Sequence, residues 1–165
     1  IVFYIMGMIN IIGIAAYWVY YGPLVESLGM LPKVVGLSCV HFNNVIESLE
    51  GNIIALKHQP YAVELMDHYI LDCTKGNRAQ EQNRFFLNGE PKAVLIIEFL
   101  ADSIEEINEK HAALVKDLKA NNKGYDYPLI TGTDTKRVWD LRKAGLGLLA
   151  NSPEYNYGFG LIYLF

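Results

Sequence analysis

Four apolar runs of strand length alternate with stretches in which apolar residues return every three or four positions. The runs are VVGLSCVHF at 34–42, YAVELM at 61–66, AVLIIEFL at 93–100 and a shorter one at 127–131. The first and third are so continuously apolar that a strand formed there is buried on both faces. Between the first two, Val45, Ile46, Leu49, Ile53 and Leu56 recur at helical spacing up to Lys57, with Asn43 or Asn44 placed to cap and Pro60 to terminate. After the second run, Asp67 caps a short helix over HYILDCTKG, which Gly76 closes. After the third, Asp102 and Ser103 cap a helix whose first turn holds Glu105 and Glu106, where the macrodipole favours acids. Its apolar stripe is Ile104, Ile107, His111, Leu114, Val115 and Leu118, and Gly124 stops it.

The order strand–helix–strand, stated twice, predicts an α+β fold, a ferredoxin-like sandwich in which helices pack on one face of an antiparallel sheet. The third strand should be central, with Ile97, Phe99, Leu114 and Leu118 buried together. Residues 77–91 (NRAQEQNRFFLNGEP) are polar and carry the turn signal Asn88-Gly89, which suits a solvent loop with a short hairpin. The closing helix, TDTKRVWDLRKAGLGLL at 133–149, begins with the capping pair Thr133 and Asp134 and presents Val138 and Leu141 on one side, with Trp139 beside them. Arg142 lies four residues beyond Val138, on or next to that apolar face. A guanidinium there must reach solvent, pair with an acid or bind an anion. Gly145 and Gly147 then break the run where backbone comes close to a neighbour.

Composition narrows the field. A chain of 165 residues suits one domain with an appendage. A net charge of −4 supplies no basic footprint, which disfavours nucleic acid as a partner. Cys39 and Cys73 lack metal spacing and read as small buried hydrophobes in a reducing, cytoplasmic compartment. Ile1–Gly22 is different: it carries no charge, has the length of a bilayer span, and offers Tyr17, Trp18, Tyr20 and Tyr21 as an interfacial belt. Flanking Lys or Arg is missing, and the Gly and β-branched content also suits buried strands. A membrane helix and a displaced or buried segment both fit, and the former would make the chain membrane-associated. The resulting division is an apolar segment at 1–23, a folded domain at 24–153 and an aromatic tail at 154–165.

Candidate chemical groups are few. His41, His58, His68 and His111 are scattered, and His41 and His111 sit on apolar faces as satisfied core imidazoles would. Glu64, Asp67 and Glu98 fall on or beside strands, where salt bridging suits them better than acid–base work. No metal-ligand pattern, phosphate loop or nucleophile elbow is present.

The blocks PYAVELMDHYILD, KAVLIIEF and RVWDLRKAGLGLL, in this order, resemble the C-terminal cap region of FAD-linked oxidases, the family of glycolate oxidase and of the D-lactate and D-2-hydroxyglutarate dehydrogenases. The resemblance runs from about Lys33 to Pro153. It implies a flavin-dependent oxidoreductase acting on a small 2-hydroxy acid, with this chain supplying the substrate side. FAD would then belong mainly to an upstream flavin-binding domain, the partner of this one. The resemblance also implies that Arg142, the arginine of a W-x-x-R block, faces the substrate carboxylate; it should be partly exposed and not locked to an acid such as Asp140 or Glu98. Two departures stand out. EYNYGFGLIYLF occupies the place of a lysine–proline element, and an uncharged run precedes Leu24 where a flavin domain would end. Truncation, a frame change and real divergence all account for such ends. A free-standing ferredoxin-like binding module, with or without a membrane tether, is the competing expectation. Because no phosphate-cradling loop is present, the 165-residue chain purified alone should be colourless; a flavin absorbance spectrum surviving gel filtration would show otherwise.

Overall fold

β1 (Val34–Phe42) and β3 (Ala93–Ala101) lie antiparallel along their whole length, from Val34 opposite Ala101 to Phe42 opposite Ala93. The structure, a computed structural model, describes residues 34–150 and the strand Tyr163–Leu164. The chain divides into two compact units, Ile1–Lys33 and Val34–Phe165. The segment expected to span a membrane or to be displaced, Ile1–Gly22, lies outside the described residues. Among the described residues no helix is long and apolar enough to cross a membrane.

β2 (Ala62–Asp67) flanks β3, β4 (Leu129–Thr131) flanks β1, and β5 (Tyr163–Leu164) lies outside β2, all antiparallel, so the order is β4-β1-β3-β2-β5. The first four strands follow the ferredoxin-like order with β3 in the middle, as the alternation of elements predicts. α1 (Val45–Leu56) and α3 (Ile104–Ala120) are the two crossovers. Asn44 caps α1 by accepting from the Glu47 N–H at 2.8 Å, and Ser103 caps α3 by accepting from the Glu106 N–H at 3.2 Å.

Both crossovers pack on one face of the sheet. There Val40, Phe42, Leu95, Ile97 and Phe99 meet Ile54 and Ala55 of α1 and Ile107, Leu114 and Leu118 of α3. The opposite face is covered as well, because β1 and β3 are apolar on both sides. Leu37, Cys39, Met66, Val94 and Ile96 pack against Leu71 of α2 (His68–Cys73), Phe86, and Val138 and Leu141 of α4 (Asp134–Ala150).

Three local expectations need correction. On α1 the spaced stripe is only partly the packing face: Val45 packs on the core and Leu49 is half-buried, but Ile46 is 71% and Ile53 63% exposed, while Ser48, Gly51, Asn52, Ile54 and Ala55 are buried. Small residues let the helix come close to the sheet, and a Cβ on Gly51 would sit 2.7 Å from the Phe42 ring. Residues 77–91 contain no strand; they form turns around a 3-10 segment, Glu81–Arg84, and bury Phe86 and Asn83. The last helix also runs straight through both of its glycines. Gly145 is a point of close packing, where a Cβ would lie 2.6 Å from Ile70 Cγ2 and 2.9 Å from Ile70 O, whereas Gly147 has nothing within 4 Å of that position.

Leu114 is fully buried between α3 and the sheet with Ile97, Phe99 and Leu118. Leu114→Ala should therefore cost roughly 2–5 kcal/mol in denaturant melts. A loss below about half a kilocalorie would mean that the site collapses around the smaller side chain.

Candidate functional site

α4 lies across the second face of the sheet because Val138 and Leu141, one helical turn apart, both enter that core. Its N-terminal half is held from outside. Arg137 Nη1 donates to Asp134 Oδ1 at 2.9 Å, a second nitrogen donates to the Gln82 carbonyl, and the guanidinium stacks 4.2 Å from the Phe85 ring centroid. Lys136 takes Asp140 at 2.6 Å, an i,i+4 pair on the solvent side. Asp140 is thereby engaged away from Arg142.

Arg142 follows one residue after Leu141 and turns towards β2, where its Nε forms an ion pair with Glu64 Oε2. The side chains are 13% and 26% exposed, so Arg142 is partly exposed as expected. The expectation that no acid would hold it fails. The partner is Glu64 rather than Asp140 or Glu98. The strand pattern allows this: Glu64 alternates with Val63 and Leu65 and so shares its face with Met66, the face that α4 covers. Salt bridging, the use assigned to Glu64 from its place on a strand, is what the structure displays. Its partner was missed because it comes from the far end of the domain; the face shared with Met66 was the available signal.

Glu98 lies on the same ground. It stands opposite Ala62 and Glu64 stands opposite Ile96, so the two carboxylates are diagonal neighbours on one face of the β2–β3 pair. Burial raises the Glu98 pKa above its ordinary value, and the like charge of Glu64 adds to the effect. The site is thus one guanidinium and two carboxylates at a partly covered end of the sheet, rimmed by the half-buried Val35 and Leu100. Asp67 is elsewhere, capping α2 by accepting from the Ile70 N–H at 3.1 Å.

The histidines do not gather here. His58 Nε2 contacts Asp117 Oδ2 at 2.9 Å, and His111 Nδ1 contacts Ser38 Oγ at 2.9 Å, tying α3 to β1. Burial lowers the His111 pKa. His41 is in the core, as its strand suggests. Its ring has the backbone at Asp126 and Cys39 as polar neighbours and lies 5.8 Å from that of Tyr125. Burial lowers its pKa, with the nearby Asp126 charge opposing. Cys39 is buried, which pushes its thiol pKa up, whereas Cys73 is only half-buried, and the two do not form a disulfide with each other. Among the described residues no group of three His, Cys, Asp or Glu side chains could hold a metal.

A family model described as FAD linked oxidases, C-terminal domain, matches residues 31–159. The chain belongs to that family. No curated protein matches it. The family places FAD in the parent protein together with a flavin-binding partner domain. The described residues of this FAD-linked oxidase domain do not fit a flavin pyrophosphate. The left-handed glycines, Gly76, Gly89, Gly124 and Gly132, stand singly in separate turns, and the helical Gly145 is packed on Ile70.

Glu98 carries a testable cost. Its folded-state pKa lies above the unfolded value, so its contribution is intact below about pH 4.3 and is lost as pH rises through the folded value. Glu98→Gln should melt at a higher temperature than the unsubstituted chain at pH 7, and the difference should close as the buffer approaches about pH 4. Equal melting temperatures across that range would remove the assigned burial penalty.

Proposed function

We propose that this domain is the substrate-side part of a flavin-dependent oxidoreductase that oxidises a small 2-hydroxy acid, and that Arg142 grips the substrate carboxylate. Membership of the FAD-linked oxidase family supports the reaction class. The observation that carries the role of Arg142 is its place: a half-buried guanidinium at the partly covered end of the sheet, held by a strand rather than lying along the helix surface. A planar fork of N–H donors matches a carboxylate, and partial burial strengthens such contacts relative to water. Glycolate, D-lactate and D-2-hydroxyglutarate are the substrates to try first.

The Glu64 contact favours a second reading, in which the domain is a non-catalytic binding module and Arg142 is an internal clamp fastening α4 to β2. Removing one member of a half-buried pair strands the other, so a purely structural role has its own signature.

Arg142→Lys in the complete parent enzyme separates the two. Lysine keeps the charge but loses the fork. The proposal expects kcat/KM for the 2-hydroxy acid to fall on the order of ten- to a hundredfold with the melting temperature unchanged. Unchanged turnover with all three acids, or a drop in melting temperature alone, would assign Arg142 to the structural role.

A further inference from the structure

We infer that Glu64 is a positioning residue for Arg142: its strand-borne carboxylate orients the guanidinium before substrate arrives. The inference rests on the proposed use of Arg142 and adds the residue that makes that use economical. An arginine side chain loses rotamer entropy when it is fixed, and a site that has already fixed it spares the substrate that loss. Two features of Glu64 suit it to the task.

The first is rigidity. Glu64 is in the middle of β2, paired to Ile96 of the central strand β3 on one side and to Tyr163 of β5 on the other. Arg142, by contrast, extends from a helix whose anchoring residues, Val138 and Leu141, lie behind it. The carboxylate is therefore the fixed partner and the guanidinium the adjustable one.

The second is the point of contact. Glu64 meets Arg142 at Nε rather than at a terminal nitrogen, so the pair restrains the side chain at the root of its fork. A substrate carboxylate approaching the terminal nitrogens would share one cation with Glu64. The charge cost of that sharing is limited by the environment of Glu98, the other acid on this ground, whose ionised form is disfavoured by burial and by Glu64 itself. Glu64 touches only Arg142 in this scheme and acts through it.

The test uses the complete flavin-loaded parent enzyme with glycolate, D-lactate and D-2-hydroxyglutarate, and compares E64Q, E64D, R142K and the double variant E64Q/R142K. Loss of orientation is expected to raise KM about tenfold in E64Q while kcat stays within about threefold. E64D keeps the charge with a shorter reach and should fall between E64Q and the unsubstituted enzyme. E64Q/R142K should be no worse than R142K alone, since Glu64 has no role without the fork it orients. R142K impaired with E64Q at the unsubstituted KM overturns the inference while leaving the proposed function intact. R142K at the unsubstituted KM overturns both. Should E64Q fail to fold, E64D decides: a raised KM at an unchanged melting temperature supports the positioning role, and an unchanged KM overturns it.

Discussion

β1 and β3 share nine residue pairs, and the other elements take their places from that ladder. Because both strands are apolar on both faces, the sheet must be covered twice, and the chain supplies two different covers. The crossover helices α1 and α3 serve one side. The other side receives α2, the turns around Phe86 and the last helix. At one end of that second face Val35, Glu64, Glu98 and Leu100 are only half-buried, and there Arg142 reaches Glu64. The candidate site lies where the second face of a two-sided sheet is least buried among the described residues.

The strands and their order were legible in the residues. VVGLSCVHF and AVLIIEFL are long enough and apolar enough to demand a buried central pair, and Asn44, Asp67 and Ser103 announce their helices by local chemistry. Contacts between distant elements were not legible. Periodicity marks Val45, Ile46, Leu49, Ile53 and Leu56 as a packing face, and Val45 does pack on the core, but which side of α1 turns inward beyond it depends on how near Phe42 lets the helix approach. Small Ser48, Gly51 and Ala55 permit the closer fit, so they win the inner side. The segment at 77–91 is polar on average, yet Phe86 and Leu87 pack it against the sheet and Arg84 ties it to the Leu71 carbonyl and Thr74. Arg142 could be placed on the correct helix face, while its partner depended on a register that only the assembled sheet defines.

The electrostatics of the site follow from the same geometry. One cation paired with one acid, with a second acid on the same face, gives this ground no net positive charge, so an anion bound there would owe more to directed N–H groups than to net charge. Such a site rewards shape over strength.

The central ladder also has a consequence for how the molecule is made. Val34 cannot meet Ala101, nor Gly36 meet Thr131, until α1, β2 and α2 have all been synthesised between them. Closing such long loops costs entropy before any contact returns it, which slows folding in proteins dominated by distant pairings. β2 and β3 are nearer in the chain and can form a hairpin first. A ribosome therefore releases β1 early, with seven positions destined for the interior and no sheet yet to enter. During that interval an apolar strand without its partners is exposed to pairing with a neighbouring chain.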